Sequence, residues 1–166
     1  MHYLQSHSYH LKIQLQYFEL SCEISSIEDI EEKISSYKPD YVFIDYIQLI
    51  KVNSKKGLQS EIQYIFQQLK KIATEYACHI FIASQLSRNV EYRTNKRPLL
   101  CDLRESGVIE EVSDVVLFIY REEYYQNFEE QDTNNYAEII IPKNNYGLNG
   151  TIYLNFKKQI PKFSSI

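Results

Sequence analysis

Two short apolar runs separated by one long amphipathic pattern set the tightest limit on what this chain can fold into. The first lies in DYVFIDYIQLI, where Tyr41, Val42, Phe43 and Ile44 lead up to Asp45; the second, HIFIA, occupies 79–83. Between them, 59–76 puts Ile62, Ile65, Phe66, Leu69, Ile72 and Ala73 on one side of a helix. Strand, loop, helix and strand in this order form a βαβ unit, which implies parallel pairing through a right-handed crossover. The polar loop of the unit falls at 53–57.

The flanking segments extend this plan. Residues 1–25 stand apart from the rest: HLKIQLQY alternates apolar and polar residues at Leu11, Ile13, Leu15 and Tyr17, as a half-buried strand does. From 26 to 166 the chain reads as one unit. Ser26 opens a helix, with Asp29 three residues on and Ile27, Ile30 and Ile34 on one face, and Pro39 ends it. After a long polar segment, 84–104, a third apolar run covers 115–120. An acidic, tyrosine-rich stretch (122–132) then leads to two further strands, 137–141 and 151–156, joined through 144–150. The fold class is therefore α/β, with a partly parallel sheet and antiparallel strands at the C-terminal end.

Composition narrows the function classes. A chain of 166 residues with net charge -4 forms one domain of ordinary size, and it is not basic overall. Contact with nucleic acid must come from a local patch rather than a global field. The three cysteines, Cys22, Cys78 and Cys101, match neither a metal-ligand spacing nor a disulfide framework, which points to a reducing compartment. No run approaches the roughly 18 apolar residues of a membrane span, and the N-terminus lacks the form of a secretory signal, so no membrane partner is expected. Heavy use of Tyr, Ile, Lys and Asn suggests an AT-rich genome, such as that of a plastid, a phage or some bacteria.

Four places could carry chemistry. Asp45 sits where a parallel strand ends, the position at which open α/β sheets meet their ligands, and a carboxylate there suits magnesium, which prefers hard oxygen ligands. A strand-ending turn residue is the competing reading. Ser84 and Gln85 occupy the same end of the next strand, where an amide can reach a terminal phosphate or simply cap a turn. Arg88, Arg93, Lys96, Arg97 and Arg104 outnumber the acidic residues around them. Such a cluster suits phosphate backbones without base preference, and equally a solvated charged loop. In PKNNYGLNG, Lys143 ends a strand, while Gly147 and Gly150 permit a tight connection. His2, His7 and His10 fit no zinc pattern, and Tyr124, Tyr125 and Phe128 could stack on bases or pack a helix.

Three motifs together carry a family resemblance. VFIDYIQLI, the long block SQLSRNVEYRTNKRPLLCDLRESGVIEEVSDVVLFIYREEYY, and EIIIPKNNYGLNGTIYLNF resemble the C-terminal, RecA-like ATPase domain of the DnaB family of replicative DNA helicases. The resemblance runs from about 39 to 163. It implies a P-loop NTPase core and ATP-dependent unwinding of duplex DNA, with ATP and magnesium as cofactors. By position it implies that Asp45 holds magnesium through water and that Gln85 couples the γ-phosphate to the DNA-facing loop. Arg104, Glu105 and Gly107 would lie on the loop that tracks single-stranded DNA, with Arg88, Arg93 and Arg97 nearby. Lys143 would reach the γ-phosphate bound by the adjacent subunit of a hexameric ring. Plastid stroma or bacterial cytoplasm is the implied location.

Two features depart from the family pattern. The arginine finger expected two residues after Lys143 is replaced by Asn145, which carries no charge. The chain also has no G-x-x-x-x-G-K-S/T segment; its glycines are Gly57, Gly107, Gly147 and Gly150, none before a Lys-Ser or Lys-Thr pair. The expectation is a truncated or split ATPase-domain chain, inactive alone, with the N-terminal part of the core absent; a separate chain carrying the phosphate loop is one possible partner. The alternatives are a non-catalytic DNA-binding subunit and an inactive remnant. In RecA-like sheets the strand before the phosphate loop lies between the strands at 79–83 and 115–120. Its loss would leave two unpaired edges, which would close up directly, be covered in part by the N-terminal segment, or be re-paired by another chain.

Overall fold

A computed structural model describes residues 26–51, 58–103, 106–125 and 136–166. The alternating segment at 11–17 and the loop at 53–57 lie outside the described residues.

Helix α1 (Ile27–Tyr37) starts where the capping residues dictate. Ser26 Oγ accepts from the Asp29 N–H at 3.1 Å, and the Asp29 carboxylate accepts from the Ser26 N–H at 3.1 Å. Two orphan donors are thereby satisfied reciprocally. Ile27, Ile30 and Ile34 form its buried face. Lys38, with φ of 49°, ends the helix in the left-handed region, its N–H donating to the Ile34 carbonyl, and Pro39 follows.

Strand β1 (Tyr41–Ile44), helix α2 (Leu58–Glu75) and strand β2 (His79–Ile82) form the βαβ unit. The strands pair in parallel, with Tyr41 opposite His79 and Ile44 opposite Ile82. Hydrogen bonds beyond the strand ends lengthen the ladder: His79 N–H to the Asp40 carbonyl, Ala83 N–H to Ile44, and Ile47 N–H to Ala83. One face of α2 carries the buried Ile62, Ile65, Phe66, Leu69 and Ile72, which join the isoleucines of α1 in the main core. The longest periodic stretch in the sequence thus supplies more of this core cluster's buried residues than any other described element, and burial of apolar surface is the dominant favourable term in folding.

The polar segment after β2 turns back on itself through two short 3-10 turns, Arg88–Tyr92 and Leu100–Asp102. A bridge between Leu86 and Leu103 closes it. Helix α3 (Ser106–Val112) buries Val108 and Ile109. Then come strands β3 (Val115–Tyr120), β4 (Tyr136–Asn144), β5 (Gly150–Lys157) and β6 (Lys162–Ser165). They form an antiparallel sheet in chain order, with Phe118 opposite Ile140 and Phe156 opposite Phe163.

Among the described residues the strands form a parallel pair, β1–β2, and the antiparallel four-stranded sheet β3–β6. Among the described residues β2 and β3 do not pair, although both border one core. Ile80 and Ile82 pack against the cluster that contains Val116 and Phe118. The direct closing-up of these strands, one way the edges could have been covered, does not occur.

Candidate functional site

The parallel register places the strongest candidates side by side. Asp45 follows β1 and Ser84 and Gln85 follow β2, at the C-terminal ends of two strands locked together by the Ala83–Ile44 and Ile47–Ala83 hydrogen bonds. Both Asp45 and Gln85 are exposed. Ser84 Oγ is buried and has no hydrogen-bond partner. The crevice outside the carboxyl ends of parallel strands is where such sheets bind ligands. Asp45 offers magnesium one hard oxygen donor, which suits an ion that keeps several waters and takes few protein carboxylates. Among the described residues no group of three or more His, Cys, Asp and Glu side chains could hold a metal unaided. The described residues thus fit one side of a magnesium–nucleotide site. The sequence holds no phosphate-cradling loop for the other.

Lys143 is held by helix α3. Its ammonium donates to the Glu110 carbonyl at 2.6 Å and the Glu111 carbonyl at 3.3 Å. A cation suits these orphan carbonyls at the negative end of the helix. The lysine lines a cavity of about 560 Å³ between α3 and the β4–β5 turn, together with Gly107, Asn145 and Asn149. Gly107 is exposed in the first turn of α3, and a Cβ added there meets nothing within 4 Å. Packing inside the chain therefore does not require glycine at that position. Asn145 is exposed, its N–H donating to the Asp114 carbonyl at 2.9 Å.

The Asp114 carboxylate accepts a hydrogen bond from Lys70 of α2 and further ones from Asn145 and Tyr146, which tie helix, sheet and turn together. The Lys70 hydrogen bond, above all, holds the Asp114 carboxyl below its ordinary range. A depressed carboxyl adds stability above its unfolded pKa of about 3.9, and that stability disappears as pH falls through the lower folded value. Both side chains are more than a third exposed, so solvent screening limits the effect to at most about 1 kcal/mol. Urea denaturation should show Asp114→Asn less stable than the parent chain at pH 7. The gap should close at a pH below the folded value.

The basic segment is mostly spoken for internally. Arg93 donates to Asp102 at 2.5 Å and to the Arg97 carbonyl at 3.0 Å. Arg97 makes a two-pronged pair with Glu138 of β4, at 2.9 and 2.6 Å, and its guanidinium lies 4.8 Å from the Tyr120 ring centroid. Hydrogen bonding to Glu138 pushes the Arg97 pKa still higher. Lys96 donates to the Glu91 carbonyl at 2.8 Å and sits over Tyr125, which stacks on Tyr120. Arg88 is exposed, with no charged partner among the described residues. Arg104 and Glu105 lie outside the described residues, as does Phe128.

The structure thus brings Asp45 and Gln85 together, brings Lys143 and Gly107 together, and turns Arg93 and Arg97 inward. Sequence reasoning missed the acceptors that hold those arginines. Glu138 was detectable as the lone charge in the apolar run YAEIII, because a carboxylate buried in a strand needs a cation.

Parallel strands with a polar site at their carboxyl ends, followed by an antiparallel sheet, place the chain among the RecA-like ATPase domains. The chain belongs to the DnaB-like helicase C-terminal domain family, which matches residues 7–165. That match takes in most of the 1–25 segment as well. The chain is 44% identical over 127 residues to the replicative DNA helicase DnaC of Bacillus subtilis, covering 75% of this chain and 28% of that protein. It is 40% identical over 146 residues to the replicative DNA helicase DnaB of Geobacillus stearothermophilus, covering 84% and 32%. Among solved structures it resembles an isolated ATPase domain, at 38% identity and a TM-score of 0.78, over 86% of this chain and 52% of that one. A DnaB-like replicative helicase, described with its interactions with primase, shows the same identity and TM-score over 86% and 35%. The chain spans about a third of the length of the curated relatives it matches.

Proposed function

We propose that this chain serves as the C-terminal part of the ATPase domain of a replicative DNA helicase, one that hydrolyses ATP to unwind duplex DNA. The observation that carries the reading is the placement of Asp45 and Gln85 just beyond the C-terminal ends of two paired parallel strands, inside a family match over residues 7–165. In this reading Asp45 holds magnesium through water and Gln85 senses the γ-phosphate. Bound ATP and magnesium supply the phosphoryl group and its charge neutralisation. Lys143, half-buried on β4 beside the end of α3, faces the nucleotide of a neighbouring subunit in a hexameric ring. Arg104, Glu105 and Gly107 approach the phosphates of single-stranded DNA, and the open space over Gly107 supports close approach of a backbone. Arg88 joins them with its charge uncommitted among the described residues, whereas Arg93 and Arg97 hold the 84–103 segment in shape. The machinery operates in bacterial cytoplasm or plastid stroma.

A chimera tests this without relying on assembly of parts. The 127-residue matched region of the Bacillus subtilis helicase is replaced by the corresponding residues of this chain, leaving the rest of that protein in place. The chimera should hydrolyse ATP in the presence of magnesium and single-stranded DNA, and Asp45→Asn should reduce turnover to background. Turnover indifferent to Asp45→Asn would count against the assignment.

A further inference from the structure

Asp114 fastens together two parts of the chain that carry different groups of the proposed site. Helix α2 connects β1 to β2, so it belongs to the unit that presents Asp45 and Gln85. Lys143 belongs to the other part, on β4 opposite Val116 of β3. Asp114 immediately precedes β3, and its side chain and main chain run to different partners. The carboxylate accepts from the Lys70 ammonium, in the second half of α2. The carbonyl accepts from the Asn145 N–H at 2.9 Å, two residues beyond Lys143.

Helix α3 closes the same circuit. It ends at Val112, two residues before Asp114, and the Lys143 ammonium donates to the Glu110 and Glu111 carbonyls of its last turn. Pairing of Val115 with Asn144 and of Val116 with Lys143 fixes the lysine backbone relative to Asp114. That ladder does not fix how this end of the sheet sits against α2. Apolar packing is non-directional, whereas a charge-assisted hydrogen bond is short and directional. The Lys70–Asp114 contact supplies the direction, and the hydrogen bonds from Asn145 and Tyr146 to the same carboxylate carry it into the turn. With both side chains more than a third exposed, the pair adds little to stability. Its consequence lies in where the turn sits.

We propose that Lys70 and Asp114 are positioning residues: their ion pair, anchored on α2, sets where the 143–147 segment presents Lys143 to the nucleotide of a neighbouring subunit. Both act through the turn rather than by touching the nucleotide. A displacement of about 1 Å caused far from the chemistry can cost roughly 10²-fold in rate. An exposed ion pair restrains less firmly, so a loss of about 5- to 10-fold is expected on breaking it. The proposal rests on the reading of Lys143 as a group that reaches that nucleotide.

The test takes the Bacillus subtilis chimera as parent, with Asp114→Asn, Lys70→Gln and the two combined. Each single substitution should lower kcat about 5- to 10-fold at saturating single-stranded DNA, with KM for ATP within about twofold of the parent. The combination should cost no more than either alone, because one contact is broken in all three. In the 166-residue chain carrying Asp114→Asn, amide exchange should quicken at 144–147 while 41–44 and 79–82 keep their rates. Unchanged kcat, a loss expressed in KM, additive losses, or exchange that quickens throughout the chain would each overturn the proposal. An active parent that ignores all three variants counts against this positioning role alone. An inactive parent overturns the helicase reading and, with it, any part for the pair in placing Lys143 on a nucleotide.

Discussion

In the chimera, Asn145→Arg is expected to raise ATP turnover by about 10³-fold or more. An arginine at this position, two residues beyond Lys143, would supply the charge that stabilises a transferring phosphoryl group, an effect worth roughly 10³–10⁵ in rate. Asparagine can hydrogen-bond but cannot supply charge. The site tolerates the change: Asn145 is exposed, and its structural contacts run through its N–H to the Asp114 carbonyl and through the Asp114 carboxylate. The backbone contact survives any side chain, and Lys70 continues to satisfy the carboxylate. Steady-state turnover of the two chimeras, compared at saturating ATP and single-stranded DNA, measures the effect. Equal rates would show that position 145 lies away from the transferred phosphate.

The second large effect is structural. Asp102→Ala should cost about 2–4 kcal/mol in unfolding free energy, because removing one partner of a buried pair strands the other. The Asp102 side chain is 5% exposed; it accepts from the Leu99 N–H at 2.8 Å and from Arg93 at 2.5 Å. Without it, Arg93 keeps only the Arg97 carbonyl, and the Leu100–Asp102 turn loses its cap. Arg93 is partly exposed and can turn to water, which sets the lower end of the range. Arg93→Ala should therefore cost less than Asp102→Ala in the same urea titration. Equal or reversed costs would mean that the Asp102–Arg93 contact does not organise the segment. Because that segment carries Gln85 and Arg88, the Asp102 variant should also show faster amide exchange from 84 to 103.

These two cases show what the sequence disclosed and what it withheld. Strands β1, β2 and β3 and helices α1 and α2 were legible because each has a local cause: a capping box at Ser26, a helical apolar stripe from Ile62 to Ile72, and apolar runs bounded by polar residues. Asp45 and Gln85 were legible as neighbours because parallel pairing follows from strand–helix–strand order. Helix α3 was not, being seven residues long with a glycine inside. Strand β6 was hidden as well, since KFSS acquires its form from pairing with β5, where Phe163 meets Phe156, and not from any pattern of its own.

The basic cluster was visible as charge, but its partners were not. Arg93 meets a carboxylate nine residues away and Arg97 meets one 41 residues away, and only the fold brings them within reach. A sequence shows how many cations a segment carries; the number left for a ligand depends on tertiary pairing. The grouping of the described strands into two sheets follows the same logic. Each strand forms locally, but β2 and β3 need a partner between them that the described residues do not provide.

Asp45 is proposed to stand at one side of a nucleotide site whose phosphate loop this sequence does not encode. Magnesium-dependent ATP turnover by a homogeneous preparation of the 166-residue chain tests it most directly. No turnover above background is expected, with or without single-stranded DNA. Turnover that requires magnesium and is abolished by Asp45→Asn would contradict it.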